Sequence, residues 1–566
     1  MESVSTSVSR WIPGVATARN YRRAWLRSDV VAGVVLAAIL VPQGMAYAEL
    51  AGLPAVTGLY TTVACLLGYA IFGPSRVLVL GPDSSVSPLI FAAIVPLAVS
   101  DDPASAVVLA GMLAVLVGLI EIGLGVCKLG FVADLLSSEV QVGYMNGLAI
   151  TIIVGQLPKL FGFSTDASSF LGELRAFAAN LGETQTAALA VGAAVLVVLF
   201  VLPRFTTRVP AVLVAVVGAT ITSAALGLAD RGVATVGTLP RGIPAPSLPW
   251  TSLADAGPLV LAAMGIVLVS LTDTIATASS FAARRGDELK PDQEMIGIGA
   301  ANVAAGFFQG FAVSTSGSRT AVAEQAGAKS QVTGVVGAGL VVVLLLFLNG
   351  LLADLPQSVL AAVVIAAAVS LTDVGAVRQY ARVRPSSLLL SLTATAGVVV
   401  LGVLPGILLA IVLAMLLFFR RNWWPHGAVL GRLANGEWHG VDQFDDAHEV
   451  DGVVVYRWEA PLFFANAGAF RQQIRKLVRE RGPGWVVVQC EAITDIDVTA
   501  AAMLEQLDQE LNDAGIHMAF VELRTRLAGL VQRYGLFETL DHDHFYPTTE
   551  AALEAIAADG SPPPKP

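Results

Sequence analysis

The 566 residues are 55% hydrophobic and only 14% charged, with a formal net charge of −10 and a mean hydropathy of +0.70. Such a balance lies outside ordinary soluble domains and belongs to a chain that resides in a bilayer. The acidic excess excludes nucleic acid as a partner, because no run of Lys and Arg is available to neutralise phosphates. Cys65, Cys127 and Cys490 stand far apart and the six histidines form no ligand set, so neither a disulfide framework, a metal site nor any cofactor is indicated.

Residues 1–28 are polar and basic, with Arg10, Arg19, Arg22, Arg23 and Arg27, and lack the architecture of a signal peptide. Apolar stretches near the ~20 residues that cross a bilayer follow at 29–50, 55–73, 104–126, 140–160, 185–203, 209–228, 256–280 and 293–312. Further ones occupy 331–353, 355–371 and 386–419. The last holds Gly402 and Pro405 near its middle and has room for two spans joined by a tight turn. Apolar segments after Gly81 and after Ser314 are too short to cross. Counting both, residues 29–421 are expected to form about 14 membrane segments. Basic residues before the first span, and Arg420 and Arg421 after the last, place both termini in the cytoplasm by the positive-inside rule.

The two halves echo each other. A span interrupted by Pro42-Gln43-Gly44 is followed about 40 residues later by the break Gly81-Pro82-Asp83-Ser84-Ser85. In the second half, Leu271-Thr-Asp273-Thr precedes Ser314-Thr-Ser-Gly-Ser-Arg319 by a similar interval. Broken helices at matching positions are the signature of two inverted repeats in a transporter.

Residues 1–450 carry 51 charged side chains, whereas the much shorter 451–566 carries 27, which marks a domain boundary beyond a linker at 422–450. From Asp451 the pattern becomes a βα alternation. Strands are expected at Val453–Trp458, Trp485–Gln489 and His517–Val521, and helices at Ala465–Arg481, near Thr499–Ala514, and once more beyond. This soluble domain is expected to span 451–556, and the Pro-rich 557–566 to end the chain as a disordered tail.

An ionisable side chain at membrane depth is costly and faces a cavity or a partner. Asp273 lies in an otherwise apolar span with Thr277 one helical turn on, so a carboxylate and a hydroxyl can converge on a proton or a small cation such as sodium. Gln43 and Tyr47, also one turn apart, offer an amide and a phenol to one side of the first span; interhelical packing is the competing role for such a pair. The run Ser314–Arg319 opens a short helix. Its unpaired N–H groups and positive dipole end, with the hydroxyls of Ser316 and Ser318, the bare backbone of Gly317 and the charge of Arg319, form a ready anion site. Asp83 and Ser84 begin the opposing short helix. Asp83 is suited to an N-cap, or alternatively to carrying a proton while the anion is bound.

These residues resemble the SulP family of anion transporters, which includes sulfate permeases and bicarbonate transporters. The resemblance is carried by Val41-Pro42-Gln43-Gly44-Met45-Ala46-Tyr47-Ala48, by Pro54-Ala-Val-Thr-Gly58-Leu59-Tyr60 through Gly73-Pro-Ser75-Arg76, by Asp273 with Ser316-Gly-Ser318-Arg319-Thr320, and by a C-terminal domain similar to STAS. It implies two inverted repeats of seven segments, a core domain moving against a gate in an elevator-like cycle, a homodimer, and an anion held between the half-helices of the third and tenth segments. By the same resemblance Gln43, Tyr47, Ser318 and Arg319 line the site, and Asp273 couples transport to protons or sodium. Asp83 departs from members with an aromatic or small residue there.

Thr494-Asp495-Ile496-Asp497-Val498-Thr499 resembles the loop of anti-sigma-factor antagonists, whose phosphorylated serine follows the aspartate. Val498 cannot accept phosphate, which leaves Thr499 as the nearest hydroxyl and capping of the next helix as the main role of Asp497. The expected function is secondary active transport of a small inorganic anion across the plasma membrane, sulfate first, with bicarbonate or a dicarboxylate as alternatives. A membrane-anchored regulator that recruits cytosolic partners through STAS is the competing class. No nucleophile–base pair or phosphate loop points to an enzyme, and a nucleobase permease has no reason for a STAS tail.

Overall fold

The computed structural model describes residues 12–98, 102–130, 137–165, 169–206, 210–249, 253–540 and 542–558. Arg10 and all but the first two residues of the expected tail lie outside the described residues. The chain divides into two packing units, Met1–Ala414 and Met415–Pro566.

In the first unit a short helix α1 (Pro13–Arg19) precedes α2 (Leu26–Leu50), α3 (Ala55–Phe72), the two-residue strand β1 (Leu80–Gly81), α4 (Ser87–Ile94), α5 (Pro103–Val126) and α6 (Ser138–Phe161). An amphipathic α7 (Phe170–Ala179) leads to α8 (Thr186–Phe205) and α9 (Ala211–Leu226). The second half repeats the order: α10 (Leu253–Arg285), α11 (Pro291–Phe307), β2 (Ser314–Thr315), α12 (Gly317–Gln325), α13 (Val332–Phe347), α14 (Gln357–Leu371), an amphipathic α15 (Val374–Val383), α16 (Pro385–Leu401) and α17 (Val403–Trp423). Among the described residues, seven helices are long and apolar enough to cross a membrane and four more are shorter and apolar. Helix α11 and the half-helices α4 and α12 complete the fourteen expected segments. The long apolar stretch 386–419 does divide in two, and the turn is made by Gly402 at φ +92°, a conformation only glycine adopts freely.

Helices α2, α3, α5, α10, α11 and α13 gather around the two half-helices as one bundle, and α6, α8, α9, α14 and α16 form another that meets it along α2. Large apolar side chains such as Phe205, Ile221, Leu389 and Val400 stay exposed on the second bundle, as expected of a surface covered by lipid rather than water. Helix crossings in the first bundle are close because small residues line them. Along α5 and α11, a Cβ on Gly118 lies 2.4 Å from the Gly299 carbonyl oxygen. At the α2–α3 crossing a Cβ on Gly58 falls 1.9 Å from the carbonyl oxygen of Gly44, so Gly58→Ala is expected to force the helices apart. The overpacking costs about 1–3 kcal/mol, and thermal unfolding in detergent is expected to show a lowered midpoint.

The second unit is an α/β domain. Its strands are β3 (Gly427–Arg432), β4 (Trp438–Gly440), β5 (Val453–Trp458), β6 (Trp485–Gln489), β7 (His517–Val521) and β8 (Phe545–Tyr546). Its helices are α18 (Ala467–Arg481), α19 (Val498–Asp513), α20 (Thr525–Arg533), α21 (Leu536–Thr539) and α22 (Thr549–Ala558). The sheet order is β4-β3-β5-β6-β7-β8, parallel from β5 to β8 and antiparallel where β3 meets β4 and β5. The stretch 422–450, expected as a linker, therefore contributes two strands, β3 and β4, to this sheet. Pairing of Leu430 with Val455 and Gly440 buries a strand whose two glycines give no local β signal.

Helices α18 and α19 are joined by Glu510, which accepts from Arg471 at 2.8 Å and from both Nε and Nη2 of Arg475 at 2.7 Å. The hydrogen bonds from Arg475 and then Arg471 hold its carboxyl down to about 2, from an ordinary value of 4.5. Because the folded value is depressed, the pair stabilises the fold above the ordinary value and this contribution is lost as pH falls toward 2. The carboxylate is 37% exposed, so solvent screening keeps the net effect small. Glu510→Gln is expected to lower the unfolding midpoint slightly at neutral pH, and the gap to wild type should close between the ordinary and the depressed value. Scanning calorimetry across that range checks it.

Candidate anion-binding site

Strands β1 and β2 pair antiparallel, Leu80 opposite Thr315 and Gly81 opposite Ser314, so the two interrupted helices meet at their breaks. Two further bonds clamp them. The Ser316 N–H donates to the Val79 carbonyl at 3.2 Å, and the Val79 N–H donates to Thr320 Oγ1 at 3.1 Å. Irregular backbone at membrane depth has to be satisfied internally, and this short ladder does so.

Ser316 is the N-cap of α12. Its hydroxyl accepts from the Arg319 N–H at 3.5 Å and lies 3.1 Å from Ser318 Oγ. Gly317 and Ser318 are exposed, whereas Arg319 is only 1% exposed. The guanidinium of Arg319 turns back toward the first half-helix. Nη1 donates to the Pro82 carbonyl at 2.6 Å and Nη2 to Asp83 Oδ2 at 3.1 Å. The other carboxylate oxygen of Asp83 accepts from the N–H and hydroxyl of Ser85 at 3.0 and 2.9 Å. Asp83 thus acts as a cap of its own turn and as the counter-ion of Arg319 at once. Gly81 makes room for this, since a Cβ there lies 2.8 Å from Arg319 Nη1.

Tyr47, buried on α2, interacts with Ser84 and sits within electrostatic reach of Asp83 and Arg319; Gln43, one turn earlier, is half-buried. Asp273 is half-buried on α10, accepts from Gln141 Nε2 at 3.3 Å and interacts with Ser85 and Asp83. Thr277 lies beside Gly317 instead, its Oγ1 3.9 Å from where a Cβ on that glycine would be. The structure therefore gathers Tyr47, Asp83, Ser84, Asp273 and Arg319 into one cluster, with Thr277, Gly317 and Ser318 at its α12 side.

Three buried donors near the half-helices have no hydrogen-bond partner among the described residues: Tyr144 Oη, Ser314 Oγ and Arg319 Nε. Buried polar groups without partners are uncommon and mark strain or a ligand. Gln141 and Tyr144, both on α6, are not singled out by sequence reasoning; their spacing of three places them on one helical face, and polarity inside an apolar span is the signal that would have found them. In the second unit, Asp497 caps α19 by accepting from the Ala500 N–H at 2.8 Å and also accepts from the Phe464 N–H at 2.8 Å. Thr499 is exposed.

Residues 26–394 match the Sulfate permease family and residues 446–552 match the STAS domain. A "Probable sulfate transporter" of Mycobacterium tuberculosis (strain CDC 1551 / Oshkosh) is 40% identical over 550 residues, 96% of this chain and 98% of its own. Solute carrier family 26 member 6 of Homo sapiens is 32% identical over 495 residues, 82% of this chain and 64% of its own. The structure of murine Solute Carrier 26 family member A9 superposes with a TM-score of 0.90 at 23% identity, covering 98% of this chain and 95% of that one; this likeness shows the fold alone. The chain accordingly belongs to the sulfate permease family, membrane transporters of anions rather than enzymes, and carries a STAS domain after its membrane helices.

Proposed function

We propose that this protein carries sulfate across the plasma membrane by coupled transport with a proton or sodium ion, through an elevator-like movement of the first bundle against the second. The observation that carries the reading is the start of α12. There, exposed backbone at Gly317 and Ser318 and two serine hydroxyls are presented at a helix N-terminus, while Arg319 and Asp83 hold it against the opposing break. Helix N-termini bind tetrahedral anions through N–H groups and dipole. Relatives named as sulfate transporters favour that anion among those of similar size.

Asp273 is the residue assigned to coupling, because it faces the anion cluster and reaches across to Gln141 of the second bundle. A movement of one bundle past the other remakes this contact and so links the carboxylate's occupancy to access. Cytoplasmic termini, a homodimer and cytosolic partners for the STAS domain belong to the same reading. Uptake of radiolabelled sulfate into proteoliposomes, under imposed proton or sodium gradients, tests it. Saturable, gradient-dependent accumulation is expected, with bicarbonate and dicarboxylates competing weakly. If sulfate does not move under either gradient, the sulfate assignment fails.

A further inference from the structure

Helix α5 brings a carboxylate into the first bundle that neither the anion cluster nor Asp273 uses. Glu121 is 0% exposed. Ser270 of α10 donates to its Oε1 at 3.0 Å, and Asn302 of α11 donates to its Oε2 through Nδ2 at 2.7 Å. Asn302 is itself fully buried, and its Oδ1 accepts the backbone N–H of Val313 at 2.7 Å. Ser270 Oγ also lies 3.4 Å from the Val313 carbonyl oxygen. Both backbone polar groups of Val313 therefore meet side chains that Glu121 holds.

Val313 immediately precedes β2, and Ser316, the cap of α12, is three residues on. Extended backbone at membrane depth has no helical partner for its N–H and C=O, so neighbours must supply them. An amide side chain can present either its oxygen or its nitrogen, whereas a carboxyl oxygen that carries no proton only accepts. With Glu121 on one side, Asn302 has to turn its nitrogen there and its oxygen toward the Val313 N–H. The carboxylate thereby decides the orientation of the amide, and the amide decides where the strand lies.

We propose that Glu121 is a positioning residue for the anion site, acting through Asn302 and Ser270 on Val313 and so on the start of α12. The inference rests on the reading that α12 binds the anion. Glu121→Gln keeps an oxygen that accepts from Asn302; its new amide donates to Ser270, whose hydroxyl then turns to the Val313 carbonyl. Glu121→Leu removes both arms and frees Asn302 to flip. Ser270→Ala removes one arm with little change in volume.

The experiment uses the full chain, with sulfate uptake measured against concentration in proteoliposomes and amide exchange followed by mass spectrometry over 308–316. Misplacement of a binding group by a fraction of an ångström carries large kinetic effects, so Glu121→Leu is expected to raise KM roughly tenfold or more with a smaller change in maximal rate. Exchange over 308–316 should quicken in the same variant. Ser270→Ala should lie between it and wild type in both readouts, and covers the case in which Glu121→Leu does not fold. Glu121→Gln should match wild type, which a role resting on negative charge would not permit. Wild-type KM and exchange in Glu121→Leu or, should that variant not fold, in Ser270→Ala overturn the inference, as does a Glu121→Gln protein as impaired as Glu121→Leu. Absence of saturable sulfate uptake in wild type is a different result: it removes the anion-site reading, and this inference with it.

Discussion

Asp273→Asn is expected to abolish concentrative uptake while sparing exchange of anion for anion. The substitution keeps the shape of the side chain and an oxygen to accept from Gln141, now 3.3 Å away, so the cluster retains its packing. What it removes is the negative charge, and with it the ability to carry a proton or balance a sodium ion. Each tenfold gradient of a coupled cation supplies about 1.4 kcal/mol and sustains roughly tenfold accumulation per cation carried. Uncoupled transport only equilibrates. Wild-type vesicles with an inward tenfold gradient should therefore concentrate sulfate severalfold, and Asp273→Asn vesicles should stop at equality. Preloaded vesicles should still exchange labelled for unlabelled sulfate. Retained accumulation in the variant would move the coupling away from Asp273, whereas loss of exchange as well would make Asp273 part of the anion site itself.

How much of this is legible from the chain depends on the range of the interaction. The breaks at Gly81–Ser85 and Ser314–Arg319 stand out locally, because Gly, Pro and runs of Ser interrupt apolar spans, and the structure places both half-helices there. Gly402 is equally legible as a turn. The pairing of Arg319 with Asp83 is not: each residue is conspicuous alone, but they are 236 positions apart and only the β1–β2 ladder brings them together. Strands β3 and β4 are hidden for the same reason, since Gly427–Arg432 becomes a strand by pairing with Val455 and its neighbours rather than by its own propensity. Glu121 obeys the rule that draws attention to Asp273, an acid inside an apolar span. Its partners on α10 and α11 come from elsewhere in the chain, so its role is visible only after folding.

The Asp83–Arg319 pair gives the second large effect, and its two halves should act with opposite signs. Arg319 is buried and Asp83 is nearly so, so removing one partner strands the other as an uncompensated charge, at a cost of about 3–5 kcal/mol. Arg319→Met is expected to lower the unfolding midpoint in detergent sharply, because it also deprives the Pro82 carbonyl of its donor. Asp83→Asn is milder, since the amide oxygen still accepts from Arg319 while the cation loses its counter-charge. Neutralising a negative charge beside a bound dianion favours it and removing a positive one disfavours it, and about 1.4 kcal/mol of either is tenfold, so Asp83→Asn should tighten sulfate binding by about tenfold or more and Arg319→Met should weaken it by a similar factor. The double variant should recover most of the stability lost by Arg319→Met and, because the two charge effects oppose each other at the anion, should bind sulfate close to wild type. Sulfate-dependent shifts in the unfolding midpoint read both quantities from one titration. An Asp83→Asn protein with unchanged sulfate affinity would mean that the Asp83 charge is not felt at the anion and that its carboxylate serves only to hold Arg319 in place.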